Sequence, residues 1–358
     1  MEIPSVEKKL YVTGANAAFF PMLCQLLASF ERFAPGVKLW VCDFGLTEGQ
    51  SRFLVAKGQL LSRPERFAAG WHPYLYKGGL YYYVESLPFD VLTWIDSDCV
   101  LTGLFVDAVE QLLAQQPDDG PFLAVTQDLD NNTLDSFIKK NPETTRPFDR
   151  LLTRFQLSRH QPYLNCGLFT LRCRETLREW AELTLALPAH FLFEQNTFNS
   201  VIYKNIHRIV LWDWATYNVC GAELNRLRIL GGGRYPGSVR LDEKRILVVH
   251  VAATNQQAAL AFEPIILPVE RGFLCGIYRF PLNPLLNDYL LGLLVEYTRS
   301  SPVNGDLLHD SGALLADNPM ISGGEGFAQD PRFAHFFSYG NKSHPEEKGM
   351  FGGSIEAG

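Results

Sequence analysis

Short apolar runs alternate with polar, glycine-bearing segments through the first half of the chain. Lys9 to Thr13 reads as a strand and Gly14-Ala15-Asn16 as the turn after it. In Pro21 to Phe33, Leu23, Leu26, Leu27 and Phe30 recur at helical spacing and predict one buried face. Val37 to Asp43 reads as a second strand, punctuated by Gly45, and Glu48 to Lys57 as a helix. Gln59 to Leu61 is a weaker third strand, and Gly79 to Ser86 reads as helical despite its tyrosines. Phe89 to Thr102 is an apolar, β-branched run carrying Asp96-Ser97-Asp98, and Phe105 to Gln115 is again helical. Alternation of this kind predicts parallel βαβ units.

The second half is more mixed. Pro121 to Thr126 reads as a strand, Asp128 to Asp135 as a polar loop and Phe148 to Phe155 as a helix. Tyr163 to Leu171 reads as a buried strand, followed by helices over Glu175 to Leu187 and Glu194 to Asn205. Ile209 to Leu211 and Arg245 to Val251 are further strands. Ser301 to Gly358, rich in Gly and Pro with an aromatic island at Phe333 to Tyr339, reads as a loosely structured appendage. The expected division is a catalytic domain over 1–270, then a C-terminal helical segment and Gly/Pro-rich tail over 271–358.

Composition narrows the class. The 358 residues suffice for one large or two modest domains, and 47% apolar with 20% charged residues is ordinary for a globular chain. A net charge of -7 without a basic cluster argues against nucleic-acid binding. The seven cysteines are odd in number and scattered through apolar runs, which reads as reduced thiols. Cys166 and Cys173 lack the spacing of a zinc pair. Met1 to Lys9 contains no apolar signal core, and Tyr289 to Val295 is too short to span a bilayer. The expectation is a cytoplasmic protein with at most peripheral membrane contact.

The chemistry concentrates at Asp96 and Asp98. A buried strand delivers its last residues to the carboxyl edge of a sheet, where open α/β folds bind ligands. Strand alternation would send both carboxylates to one side and Ser97 to the other. Two hard oxygen ligands suit Mn²⁺ or Mg²⁺, ions that commonly complete their shell with substrate phosphates. A pair of solvated strand-end carboxylates has the same sequence.

Companion segments follow in a definite order: Thr13-Gly14-Ala15-Asn16, Val41-Cys42-Asp43-Phe44-Gly45-Leu46, Lys77, and Asp96-Ser97-Asp98. After them come Tyr163-Leu164-Asn165-Cys166-Gly167, Glu194-Gln195, Trp212 to Asn218, and Val248-Val249-His250. This ordered set, over about residues 9 to 255, resembles the glycosyltransferases of the single-Rossmann, A-type fold, especially the family-8-like retaining group. The resemblance implies an α/β fold with one Rossmann-like mixed β-sheet flanked by helices and an irregular C-terminal extension. It implies a nucleotide-sugar donor, a UDP-sugar, and a glycan, lipid-linked or protein acceptor, with retention at the anomeric carbon.

By the same resemblance, Thr13, Gly14, Ala15 and Asn16 line the nucleoside pocket, and Asp43 contacts base or ribose unless it only caps the segment after it. Lys77 lies near the diphosphate; Asp98 and His250 bind Mn²⁺ (or Mg²⁺); Asp96 is shared between ribose and metal, beside Ser97. Asn165 and Gly167 match an Asn-x-Gly sugar-binding strand, and Glu194-Gln195 matches an Asp-Gln pair that holds the donor sugar. Read from the residues alone, Glu194 and Gln195 are equally good first-turn residues of a helix, and His250 a core histidine.

The pattern also departs from the family. Glu194 stands where the family has Asp, and Asn16 is nearest to its usual first-strand Asp. Val251-Ala252-Ala253-Thr254-Asn255 replaces the Gly-Lys-Pro-Trp that often follows the late histidine. Cations for the diphosphate are then sought at Lys77, Arg234, Arg240, Lys342 or His344. Aromatic sugar platforms are sought among Trp71, Tyr74, Tyr76 and Tyr81 to Tyr83, and at Trp212 and Trp214 on the acceptor side. Two other readings share Asp-x-Asp: a haloacid-dehalogenase-like phosphatase using Asp96 as nucleophile, and an inactive nucleotide-sugar-binding module.

Overall fold

The computed structural model describes residues 8–116, 120–230, 238–251, 261–267, 273–279 and 283–301, with 303, 305, 307 and 308. Arg234, Lys342, His344, the aromatic island and almost all of the Gly/Pro-rich tail lie outside the described residues.

The chain opens with β1 (Lys9–Ala15), α1 (Phe20–Phe33), β2 (Leu39–Asp43), α2 (Glu48–Ala56) and β3 (Leu60–Leu61). Two short helices, α3 (Pro73–Gly78) and α4 (Leu80–Val84), precede β4 (Val91–Ile95), β5 (Cys99–Leu101) and α5 (Phe105–Ala114). Then come β6 (Phe122–Gln127), α6 (Leu134–Lys140), α7 (Arg146–Arg154), β7 (Leu164–Arg172), α8 (Arg174–Ala186), α9 (Phe193–Asn205), β8 (Arg208–Trp212) and α10 (Trp214–Tyr217). The remainder holds β9 (Arg228–Leu230), β10 (Ser238–Leu241), β11 (Lys244–Arg245), β12 (Val248–His250), β13 (Ala261–Leu267), β14 (Phe273–Arg279) and α11 (Pro284–Ser300).

Seven strands form one sheet in the order β3-β2-β1-β4-β7-β6-β8. β3, β2, β1 and β4 run parallel, whereas β7 is antiparallel to both β4 and β6. The fold is therefore α/β with a mixed sheet, as expected, and the parallel βαβ reading of the first half holds for β3, β2, β1 and β4. β4 is central and buried throughout, so its side chains alternate between two apolar layers. Ile95 faces a layer with α1, α5 and α11, and Trp94 one with α3, α4, α8 and α9. On the Ile95 side of the sheet Thr93 and Thr170, in register, share a hydroxyl hydrogen bond of 2.9 Å.

Local signals explain several boundaries. Thr47 and Gln50 make a reciprocal capping box at α2. A second box, between Thr133 and Ser136, starts α6 inside the segment expected to remain loop. α1 is buried on nearly every face because α11 covers the side turned from the sheet; Gln25 donates to the Leu290 carbonyl at 3.1 Å and Arg32 pairs with Glu296 at 2.8 Å.

Three expectations need correction around the site. The Asp96 strand ends at Ile95, and Asp96-Ser97-Asp98 is a tight turn closed by Cys99 N–H donating to the Asp96 carbonyl at 2.9 Å. Strand alternation therefore does not orient the two carboxylates. The expected Arg245 to Val251 strand is two: β11 joins a small sheet with β10 and β9, while β12 pairs antiparallel with β5. Gly14 and Ala15 belong to β1 rather than to a turn.

Candidate active site

The register of β12 on β5 builds the center of the site. His250 lies opposite Cys99, and Val251 N–H donates to the Asp98 carbonyl at 2.8 Å. This brings His250 Nε2 to 3.2 Å from Asp98 Oδ1. Two ligands in neighbouring positions of an octahedral shell, each about 2.1 Å from the ion, stand about 3 Å apart. The pair fits that requirement for a hard divalent cation. Cys99 also offers a ligand atom within 4.8 Å of the other two. Burial, then the charges of Asp98 and Asp96, push its thiol well up, so it remains neutral and ill suited to a hard ion.

Gly167 leaves the room the site needs. A Cβ there would stand 2.7 Å from His250 Cε1, 2.9 Å from Asn165 Oδ1 and 3.1 Å from Asp96 Oδ2. Burial opposes the His250 imidazolium, but the charge and hydrogen bond of Asp98, with Asp96 behind, raise its pKa above the ordinary histidine value. Burial likewise raises Asp98, and His250 more than reverses it, leaving that carboxyl low.

Asp96 has both oxygens engaged. Trp94 Nε1 donates to Oδ1 at 2.6 Å and Lys77 Nζ to Oδ2 at 2.9 Å, while His250 Nε2 is 4.0 Å away. Lys77, from α3, also lies 4.0 Å from Glu194 Oε1. Burial opposes its charge, but Asp96, Cys166 and Glu194 hold its pKa well above the usual lysine value. Ser97 is buried at the tip of the turn.

Glu194 opens α9, which the left-handed backbone of Leu192 (φ 47°) turns into place. It is 3% exposed, and its Oε2 has no hydrogen-bond partner. Burial pushes its pKa up to about 7 against the pull of Lys77. An unpaired buried carboxylate oxygen is costly in the free protein and is a ready acceptor for a ligand hydroxyl.

β7 bulges between its pairings with Val125 and Thr126 of β6, whose partners are Phe169 and Asn165. Side chains replace the lost strand bonds. Gln195 Oε1 accepts Cys166 N–H at 3.1 Å, Asn165 Oδ1 accepts Gly167 N–H at 2.9 Å, and Asn199 bonds both backbone groups of Leu164. Gln195 Nε2 and Asn165 Nδ2 both turn toward Asp128 Oδ2, at 3.3 and 3.5 Å. Burial raises the pKa of Asp128 above its ordinary value despite these donors.

The expected nucleoside side is built differently. Gly14 admits the Phe44 ring, whose Cζ would lie 2.3 Å from an added Cβ. That ring stacks on Tyr76 and Trp94, so the close approach there is to the protein's own aromatic core. Asn16 Oδ1 accepts Phe19 N–H at 3.1 Å, and Asp43 Oδ1 accepts Gly45 and Leu46 N–H, each at 2.8 Å. Ala15 and Asp43 are in register, and the buried Thr13 hydroxyl has no partner. Tyr83 donates to the Asp43 carbonyl and Tyr76 to that of Ala68; Trp212 stacks on Tyr217 in the core. Arg240 pairs with Glu243.

Residues 96, 98, 77, 165, 167, 194, 195 and 250 are thus brought together, whereas 13 to 16 and 43 are held by the β1–β2 register and by their own local turns. The sequence reading missed Asp128 and Asn218 as members of the site. Asp128 carried a signal: like Asp43 and Asp96, it stands at the carboxyl end of an apolar strand. Asn218 closed the Trp212 to Asn218 segment of the ordered set, but nothing in that segment gave it a role.

No protein-family model and no curated protein matches the sequence. Similar solved structures include the apo form of the bifunctional glycosyltransferase WbbM, 12% identical over 71% of this chain, with TM-score 0.44. An active-site mutant of LgtC is 12% identical, covering 68% of this chain and 87% of LgtC, with TM-score 0.42. Apo mouse xyloside xylosyltransferase 1 is 13% identical, covering 68% of this chain and 98% of that one, with TM-score 0.39. The chain spans about half of WbbM, 47% of its length.

Proposed function

We propose that the chain is a glycosyltransferase that moves a sugar from a nucleotide diphosphate sugar, a UDP-sugar, to an acceptor hydroxyl with retention. One observation carries the reading: Asp98 and His250 converge at 3.2 Å on the turn after β4, alongside Lys77 and a buried Glu194 with an unpaired oxygen. These residues stand in the chain order that resembles the family-8-like enzymes. Asp98 and His250 would hold Mn²⁺ (or Mg²⁺), which when bound supplies Lewis-acid stabilisation of the leaving diphosphate. Lys77, the buried cation of the site, adds positive charge on that side.

Glu194 Oε2 receives a hydroxyl of the donor sugar, and the Asn165 and Gln195 amides hold the same wall rigid through their bonds to β7. Charge developing on the sugar ring is met by the buried carboxylates of Glu194 and Asp128. Asp96 acts as a ribose acceptor and keeps Lys77 in place. Engagement of both its oxygens weighs against the phosphatase reading, which needs a free nucleophilic carboxylate there. Residues 1–270 form the catalytic unit in this reading, buttressed by α11. Six free cysteines among the described residues accord with a cytoplasmic setting, and no described helix is long and apolar enough to cross a membrane.

The test is release of UDP from a panel of UDP-sugars with Mn²⁺. Turnover is expected in the wild type, with Asp98→Ala reducing kcat/KM on the order of a thousandfold. Absence of turnover with every donor, at retained nucleotide-sugar binding, would support a binding module instead. Proton NMR of the first-formed product reads the anomeric outcome, and an inverted linkage would remove the retaining assignment.

A further inference from the structure

The hydrogen-bond polarity around His250 is set from outside the ligand pair. Gly167 N–H can only donate, so Asn165 Oδ1, 2.9 Å away, must accept. Asn218 lies 3.1 Å from that same oxygen, so the atom it presents must be its amide nitrogen, Nδ2. The nitrogen also reaches Thr126 Oγ1 at 2.9 Å. Asn218 Oδ1 is thereby turned to His250 Nδ1, at 2.8 Å, where it can only accept. His250 Nδ1 must carry a proton; Asp98 Oδ1, 3.2 Å from Nε2, also accepts, and a cation bound between them takes the Nε2 lone pair in place of a proton.

We propose that Asn218 is a positioning residue that fixes His250 in the Nδ1–H tautomer and aims Nε2 at the cation. The inference rests on the metal-binding reading of Asp98 and His250. Every link is buried or half-buried: Asn218 is 3% exposed and His250 7%. Burial matters because an amide free to flip, or water competing for Nδ1, would let the ring take either tautomer. The chain starts at the β7 bulge, whose Gly167 N–H is turned from β6 and onto Asn165. The Gly167 amide thus orders the pair through the side chains of Asn165 and Asn218.

The experiment reads the tautomer directly. Long-range proton–nitrogen NMR of the full chain labelled with ¹⁵N-histidine, in the presence of Mg²⁺ as a diamagnetic cation, identifies which ring nitrogen is protonated. Comparison with His250→Gln assigns the signal among the eight histidines. A protonated Nδ1 and bare Nε2 are expected; the opposite tautomer in the wild type would overturn the proposal, whatever any variant does. Asn218→Leu is expected to mix the tautomers and weaken Mn²⁺ binding, followed by EPR, about 10- to 100-fold. Asn218→Asp, which still accepts from Nδ1, is expected to recover much of that affinity. Equal Mn²⁺ affinity in Asn218→Leu and wild type would also sink the role. Failure of the wild type to bind Mn²⁺ would instead sink the metal reading, with the tautomer measurement still judging the polarity chain.

Discussion

At the carboxyl ends of β1 and β2, polar side chains close on their own stretch of chain. Asn16 bonds the amide three residues on, and Asp43 those two and three residues on. At the carboxyl end of β4 the partners come from other elements: Lys77 and Asp96 are 19 residues apart, His250 and Asn218 32, Gln195 and Asp128 67, and Asn218 and Thr126 92. The first region has short local turns. The second is a buried polar network whose members satisfy one another or, at Glu194, wait for a ligand. Interlocked groups of this kind are coupled, so removal of one leaves others stranded in low dielectric.

The comparison can be broken by substitution. The largest stability effect is expected for Lys77→Met, which strands Asp96 and Glu194 without their shared cation. Loss of one member of such a buried pair costs about 3 kcal/mol, read by denaturant unfolding of the metal-free protein. Gln195→Leu leaves Cys166 N–H without its acceptor and Asp128 Oδ2 without one of its donors; an unsatisfied buried group costs about 2 kcal/mol, seen in the same unfolding curves. Asp43→Ala, in the local region, removes turn bonds that resemble a helix cap and costs about 1 kcal/mol. A Lys77→Met effect no larger than that of Asp43→Ala would erase the distinction between the two regions.

A further effect in the second region is read through pH. The Glu194 pKa is raised from 4.5 to about 7 in the folded protein, chiefly by burial. Between those values the native state holds a proton that the unfolded chain has lost. Its contribution is therefore fully present below about pH 4.5 and disappears as pH rises through 7. Glu194→Gln cannot ionise, so its thermal midpoint is expected to exceed that of the wild type at pH 8 and to approach it at pH 5. An equal difference at both values would show that Glu194 is not held against ionisation by its surroundings.

Much of the architecture was legible in the sequence because its causes are local. Apolar spacing marked α1, a β-branched run marked β4, an apolar run marked β7, and Glu48 to Lys57 lies within one residue of α2. The exceptions have local causes too: Thr133 starts α6 by a capping box, and the turn at Asp96-Ser97-Asp98 cuts one expected strand into two. Asp43, Asp96 and Asp128 share a readable signature, a carboxylate at the carboxyl end of an apolar strand. Asn218 has no such mark, because its role depends on three partners supplied by β6, β7 and β12.

By itself the sequence determined which residue types stand at strand ends and in what order, because hydrophobic periodicity and turn chemistry act over a few residues. Only the tertiary structure decided which of them meet. The register of β12 on β5 puts His250 beside Asp98, and the β7 bulge directs two backbone N–H groups onto Asn165 and Gln195. Register and bulge are settled by long-range burial and by the need to satisfy every buried donor. Neither constraint is written in any single segment of the chain.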